Sequence, residues 1–587
     1  MKKYIYAFTA AVLAASCPVK AQDLDPTVVV SRTYEGQLME VHKPSFYMEV
    51  PDSVSRFDLD FDYSVFDKPY KGAYEFNPYV LTMRPASAVQ APKQLYLNAG
   101  AGYTLHPTFD LIWTPAFKGA FRMDVYARHR SYVGDYRKFI PSEESAGKIA
   151  LDRWVRSGGD HSYWNGYDLD TRAGMDGSYD WFAGTVDFDV AYQGLAVKDD
   201  CKERMYDAVD VAVDVSSKSD GETYFQYDVQ ADYRFGKDKM ERFGTDSSIG
   251  EHVFGMDATV GQVIRNKHNV SFDVNLNLVS YSHPSYASTF GDFNLVPHYV
   301  LGGKRWNVDV GVRMSKIFRS EMPEQLYPTT EQFVYPDISA WYDLIPDAMR
   351  MYAYIGGGNR LDTYSSILEK NHHFDLTYGH GLWPVMDVTV ERVSASIGFK
   401  GRAGSKFTYD LRAGYVNYKN GMLDAVLINS IYDVEGPQYL PGMGYSAYRK
   451  FYSALDMGFR NESLKFDGSV LYTYAWGLKN ASGLFAPAAV AGDFALEYNW
   501  SRRIYVGADC AFSSRRKGSI VNLLDDKAVM DAYIPGYVDL GVYSEVAVTR
   551  MLSFWIRGGN LLNMTIQHNP LYAEKGVNFT VGICLNL

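Results

Sequence analysis

Three histidines, His372, His373 and His380, form the one histidine cluster of the chain, and imidazole nitrogens are common ligands of transition metals. Neither cysteines nor paired carboxylates accompany them at the spacing of a ligand set. They fall in a stretch rich in turn-forming residues, for which we expect a solvated loop. The sequence therefore predicts no metal site and no cofactor at these histidines.

Catalytic motifs are the next features to weigh, and the strong ones are missing from the sequence. It contains no GxSxG, HExxH or P-loop, and no GxGxxG in a strand-to-helix context. Cys201, Cys510 and Cys584 are far apart in the chain and indicate neither a disulfide framework nor a zinc site. The net charge of -11 is spread along the chain, so no basic patch points to nucleic acid. We predict no catalytic residues and a protein that is not an enzyme, although a barrel can assemble Ser, His and Asp from separate strands without a local motif.

The N-terminus has the features of an export signal. Lys2 and Lys3 precede an apolar stretch from Ile5 to Ala15, and Val19-Lys20-Ala21 follows as a cleavage site before Gln22. This pattern predicts a cleaved signal peptide over 1–21 and export by the Sec route. After it, no apolar run reaches the roughly 18 residues of a membrane helix, so this part of the chain could cross a bilayer only as a closed barrel.

Strands with a period of two recur from residue 95 to the end of the chain. In the stretch 225–235, apolar residues from Phe225 to Phe235 alternate with Gln, Asp and Arg, and the final stretch GVNFTVGICLNL alternates as strictly. The chain has 47 Tyr and 50 Gly, a composition that suits many strands. Strands of about ten residues or more are typical of membrane barrels.

Short and long connections between these strands alternate over more than half of the chain, which is the rhythm of an up-and-down barrel. The predicted short links are 265–269, 302–305, 346–349, 401–406, 460–463, 501–503 and 549–551, and the longest links are 131–162, 358–390, 419–449 and 514–535. We predict an all-β, antiparallel transmembrane barrel of about 22 strands over 93–587. The strand at Leu95 should pair with the last strand, because closure removes both free edges.

The C-terminal residues resemble those of TonB-dependent receptors. Thr580, Gly582, Leu585 and Leu587 match the signal by which the barrel-assembly machinery takes up outer-membrane proteins, except that the usual terminal Phe is here Leu587. Residues 536–563 resemble the penultimate hairpin of these receptors, which closes on an Asn-Leu-(Phe/Leu)-Asn turn. The resemblance covers about 95–587 and implies an outer-membrane location with lipid as a partner.

The N-terminal segment departs from this family. Only residues 22–92 lie between the signal and the barrel, which is too few for the usual plug domain, and they lack its motifs. The chain thus resembles the plugless barrels of Bacteroidota envelopes. The energised uptake of TonB-dependent receptors is therefore not inferred for it. Within this periplasmic or lumenal arm, FDLDFDYSVF alternates between apolar and acidic residues. Its apolar face, which could fill the lumen, join a partner's sheet or lie passively against the barrel, consists of Phe57, Leu59, Phe61, Tyr63 and Val65.

A barrel of this size would leak unless something occupied its lumen. The candidates are the arm, long loops folded inward, or a partner protein of the periplasm or outer membrane. The sequence therefore predicts passive transport or a scaffold of an envelope complex. An outer-membrane enzyme or a surface adhesin that uses the long loops is the alternative.

Overall fold

The computed structural model describes residues 94–103, 105–136, 142–144, 148–150, 164–198, 202–218, 223–242, 245–265, 267–283, 286–319, 333–374, 387–429, 438–479, 483–522 and 529–587. All of them belong to one compact unit, 89–587. The strands are β1 (Leu95–Tyr103), β2 (Thr108–Trp113), β3 (Phe121–Tyr136), β4 (Ser142–Glu144), β5 (Lys148–Ala150), β6 (Trp164–Asp180), β7 (Gly184–Lys198), β8 (Lys202–Ser217), β9 (Tyr224–Arg242), β10 (Thr245–Ile264), β11 (His268–His283), β12 (Tyr286–Gly302), β13 (Trp306–Arg319), β14 (Val334–Ile345), β15 (Met349–Leu361), β16 (Val388–Ala403), β17 (Phe407–Asn429), β18 (Gln438–Arg460), β19 (Leu464–Lys479), β20 (Val490–Trp500), β21 (Ile504–Ser513), β22 (Arg516–Asn522), β23 (Val529–Ile534), β24 (Tyr537–Ala547), β25 (Leu552–Gly559) and β26 (Asn578–Asn586). A single short helix, α1 (Tyr364–Lys370), completes the described elements.

Twenty-two of these strands form a closed antiparallel barrel, as predicted. Each pairs with its neighbour along the chain, and β1 closes the ring on β26 in a register that runs from Tyr96 opposite Asn586 to Tyr103 opposite Phe579. Closure leaves the barrel strands without a free edge. Within the described residues, no helix is long and apolar enough to span a membrane.

The outward face of the barrel is apolar and exposed, whereas the inward face is polar. On β26, Phe579 and Val581 point outward with 49% and 58% exposure, while Thr580 between them is buried. On β9, Phe225 and Phe235 are exposed in the same way. So large an apolar surface suits contact with lipid rather than water.

The seven predicted short links are confirmed as the turns between β10 and β11, β12 and β13, β14 and β15, β16 and β17, β18 and β19, β20 and β21, and β24 and β25. Several have residues in the left-handed region, among them Asp347 (φ 61°), Ser501 (φ 55°) and Arg502 (φ 56°), as tight turns require. We call the end of the barrel that carries these turns, residue 94 and Leu587 the turn end, and the opposite end the loop end.

One of the predicted long links is largely strand, so its predicted boundaries were wrong. β17 continues to Asn429 and β18 begins at Gln438, so that 419–449 is mostly a hairpin that extends beyond the neighbouring strands. The predicted link 131–162 overlaps only the end of β3, which runs to Tyr136, and β6 begins after it at Trp164. The turn-forming residues in these stretches did not end the strands, because pairing with a neighbouring strand overrides local propensity.

Four short strands at the loop end lie outside the ring. β22 and β23 form a hairpin, β22 pairs in parallel with the end of β17, and β23 pairs in parallel with β5, which pairs with β4. These pairings join connections that are far apart in the chain into one small sheet.

Candidate functional site

The inward face of the barrel wall is lined with ion pairs. Arg130 contacts Asp110 through two hydrogen bonds of 2.7 and 2.8 Å, and Arg313 donates to Asp337 at 2.7 Å. In both pairs the side chains keep part of their surface exposed. Such pairs retain contact with water, so the lumen wall is suited to polar solutes.

Helix α1 begins the part of the β15–β16 connection that enters the lumen. Thr363 caps it by accepting a hydrogen bond from the backbone N–H of Ser366 at 3.1 Å, and Asn371 ends it. A helix of seven residues is not stable alone in water, so its packing against the wall must hold it. We call residues 362–374 the docked loop.

The docked loop packs its apolar side chains against strands on both sides of β15 and β16 in the ring, as far round as β7. Ile367 and Leu368 are 0% and 1% exposed. They belong to one buried cluster with residues of β7, β8, β10, β11, β12 and β18, namely Leu195, Val197, Tyr206, Ala208, Ile249, Val279, Tyr281, Phe290 and Met443. The connection between β15 and β16 therefore reaches across the loop end of the lumen.

Buried polar contacts fix the start of the loop to the same wall. The Tyr364 hydroxyl donates to Asp238, which also accepts from Arg204 Nε at 3.0 Å. The backbone N–H of Ser365 donates to the Glu251 carboxylate at 3.2 Å. Arg204 and Asp238 are 1% and 2% exposed, so the loss of one would leave the other as a buried charge without its partner.

The C-terminal part of the loop is fixed by its backbone carbonyls and by its two histidines. Arg204 donates to the His372 carbonyl at 2.8 Å, and the Lys202 ammonium donates to the His373 carbonyl. His372 Nδ1 lies 3.0 Å from the Asp168 carboxylate on β6. The His373 ring stacks on Tyr572 of the β25–β26 connection, with centroids 3.8 Å apart.

The contact with Asp168 changes the protonation of His372. Burial of the ring favours the neutral form, but the hydrogen bond and the charge of Asp168 outweigh it and raise the pKa of His372 above its ordinary value. A cavity beside this contact is also lined by Arg128, Tyr132 and Lys575, and burial lowers the pKa of the Lys575 ammonium.

These positions correct the prediction of a solvated loop around the histidines. His373 is 6% exposed and His372 is half-buried, because the loop folds inward and packs on the wall. The His372 ring contacts Asp168, whereas the His373 ring stacks on Tyr572. His380 lies outside the described residues. Among the described residues, no group of three or more His, Cys, Asp or Glu side chains could hold a metal ion.

The residues of the predicted assembly signal lie on β26 and at its end. Thr580 is buried and its hydroxyl is 2.6 Å from His106 Nε2. The Trp555 ring covers Gly582, where a Cβ atom would lie 2.3 Å from the nearest ring atom. Leu585 and Leu587 continue the outward face of the strand. Their role in assembly stays a prediction.

The turn predicted at 560–563 is present, directly after β25. Asn560 has a φ of 46°, its carbonyl accepts from the Asn563 N–H, and its side chain bonds Met564 and the Lys575 carbonyl. By contrast, the arm residues Phe57, Leu59, Phe61, Tyr63 and Val65 lie outside the described residues. Cys510 and Cys584 are free thiols.

Four residues that hold the loop were not predicted from the sequence, namely Arg204, Asp238, Glu251 and Tyr364. On β8, β9 and β10 these charged residues alternate with apolar ones. The alternation predicts that they face the lumen, but it does not predict which residues of the loop they contact. A local signal for the loop did exist: Thr363 precedes two serines and the apolar pair Ile367 and Leu368, as an N-cap precedes a short helix.

No protein-family model and no curated protein matches the chain. Solved structures match it in fold. The FrpB iron transporter from Neisseria meningitidis, as apoprotein, superposes with a TM-score of 0.61 at 10% identity over 85% of this chain and 82% of its own. The copper transporter OprC gives 0.57 at 12% identity over 84% and 80%. The siderophore receptor PirA from Acinetobacter baumannii gives 0.57 at 9% identity over 84% and 80%. These neighbours are TonB-dependent receptor barrels, and the chain shares their barrel fold.

Proposed function

We propose, from the fold that this chain shares with TonB-dependent receptor barrels, that it passes small polar solutes across the outer membrane by diffusion. In this proposal the docked loop is the gate of the pathway. The observation that carries it is a wall of part-exposed ion pairs beneath a loop that reaches across the lumen. The ion pairs favour a hydrated path, and the loop narrows that path at the loop end.

Transport fits the neighbours, which are iron and copper transporters and a siderophore receptor by name. The proposal adds that residues 1–21 are removed on export and that 22–92 form an arm rather than a plug. It places the turn end in the periplasm and the loop end at the cell surface, as in other barrels with short turns on the periplasmic side. No energised step is then needed, since a gate in the barrel itself controls the path.

Swelling of proteoliposomes tests the proposal without requiring a charged solute. Vesicles that contain the purified full-length protein should admit a monosaccharide and exclude a large dextran. The same vesicles should exclude the monosaccharide if the protein was heat-unfolded before reconstitution.

Three outcomes would contradict passive transport. The first is that neither the wild type nor a variant with the docked loop released shows any flux, which would rule out passive transport. A partner that co-purifies from the outer membrane in mild detergent, together with absent flux, would indicate a scaffold. Hydrolytic activity that disappears on substitution of one Ser, Asp or His, again without flux, would indicate the enzyme alternative.

A further inference from the structure

A second cavity of about 590 Å³ lies in the wall formed by β10 to β13 and β15, next to the start of the docked loop. Its volume is within the range of sites for small molecules. Carboxylates and amides line it together with apolar side chains, and the polar residues include Asp257, Asp273, Asn277, Asp292 and Asn294. None of these residues belongs to the contacts that hold the docked loop.

Two oxygen atoms of this lining are buried without a hydrogen-bond donor among the described residues. They are Oδ1 of Asp292, a residue that is 1% exposed, and Oδ1 of Asn294, which is 5% exposed. The Asn294 amide group donates to Asp292 Oδ2 at 2.6 Å, which fixes both side chains side by side. A buried oxygen without a donor is costly, so two on adjacent inward positions of one strand require an explanation.

Neither arginine of the lining forms an ion pair with Asp292. Arg313 and Arg360 also line the cavity, but Arg313 pairs with Asp337 at 2.7 Å and Arg360 pairs with Asp362 at 3.4 Å. No ion pair among the described residues includes Asp292. Since a buried carboxylate is expensive unless a cation compensates it, the cavity is suited to a ligand that brings both positive charge and N–H donors.

We propose that this cavity binds a small organic cation through a primary ammonium group, with Asp292 and Asn294 as its acceptors. An ammonium offers three donors, enough for the Asp292 carboxylate and the Asn294 carbonyl together. The inference deepens the proposed transport function by naming a solute class, but the binding itself does not depend on transport. Among the described residues, Arg313 Nε in the same lining is a buried donor without an acceptor, so the ligand must also tolerate a guanidinium group nearby.

Calorimetry on the detergent-solubilised full-length protein tests the site with 1,4-diaminobutane, and 1,4-butanediol serves as a neutral probe of the same length. The diamine should bind, and the diol should bind at least tenfold more weakly. Asp292→Asn keeps the shape of the side chain and removes its charge, so it should weaken diamine binding at least tenfold. Asp467→Asn is the matched control, because Asp467 is a half-exposed carboxylate that already pairs with Lys465 at 3.2 Å outside this cavity.

Thermal unfolding in the same detergent gives a second readout. The diamine should raise the melting temperature of the wild type and of Asp467→Asn but not that of Asp292→Asn. Equal binding of diamine and diol would overturn the proposal, as would unchanged diamine affinity in a folded Asp292→Asn variant or absent diamine binding to the wild type. Diamine binding without flux in the swelling assay would contradict the transport function alone.

Discussion

Release of the docked loop should open the lumen, and the two most buried aliphatic residues of α1 provide the perturbation. Ile367 and Leu368 are 0% and 1% exposed in the cluster that joins the loop to the barrel wall. Truncation of one such side chain to Ala typically costs about 2–5 kcal/mol. We take about 4 kcal/mol for the pair as a cautious sum, since neighbouring substitutions need not be additive.

About 4 kcal/mol changes the ratio of docked to undocked loop by about a thousandfold. An undocked seven-residue segment also loses its helix, because it has no partner to stabilise it. The double variant Ile367→Ala/Leu368→Ala should therefore populate an undocked loop while leaving the pairing of the barrel strands unchanged.

The assay combines flux with a check of each structural state. Proteoliposomes with the double variant should swell faster than wild type in a monosaccharide, and cells that carry it should become sensitive to vancomycin. Heat-modifiable migration on a gel reports an intact barrel, and new proteinase K cleavage within 362–374 reports an undocked loop. Lys370→Ala, a change at an exposed residue of the same helix, should behave as wild type. Unchanged flux in a folded variant whose loop is cleaved would refute the assignment of the loop as the gate.

Two further predictions concern charge. Because the pKa of His372 is raised in the folded state, its contact with Asp168 stabilises docking fully below the ordinary histidine pKa of about 6.5, and this contribution is lost as the pH rises through the raised value. Flux should therefore increase in wild type as the pH rises through the raised pKa of His372, and it should depend less on pH in His372→Gln. Equal pH profiles would argue against a role of the His372–Asp168 contact in docking. Phe579→Asp places a charge on the lipid face at a cost of up to about 3 kcal/mol and should reduce folded protein in the outer membrane, whereas Asn578→Asp on the inward face should not. Normal amounts of heat-modifiable Phe579→Asp protein would contradict this.

The sequence was sufficient to predict the barrel because the barrel depends on local rules. Alternation between apolar and polar residues decides which face meets lipid, and a turn of three or four residues decides where the strand reverses. Both signals lie within about ten residues of each other, so β9, β26 and the turns at 346–348 and 501–503 could be placed without knowledge of their neighbours. The same rules fixed the pairing of β1 with β26, since only closure removes the edges.

The docked loop could not be placed in this way because its contacts are non-local. Tyr364 and Asp238 are 126 positions apart, and His372 and Asp168 are 204 apart. The turn residues around 364–374 are common to exposed and inward-folded loops, and what separates the two is a complementary wall that exists only after closure. The extension of β17 and β18 beyond the ring was not predicted for a related reason. Each extended strand is stabilised by pairing with the other, and that pairing is not visible in the local sequence of either.

This dependence on closure also orders the events of folding. The cluster that holds α1 draws on β7, β8, β10, β11 and β12, which precede the helix in the chain, and on Met443 of β18, which follows it. His373 also stacks on Tyr572 of the β25–β26 connection, close to the C-terminus. The loop can therefore dock fully only after these strands have assembled into the ring. A docked loop is thus a consequence of the closed barrel rather than a cause of it, which is why its release should change permeability without unfolding the wall.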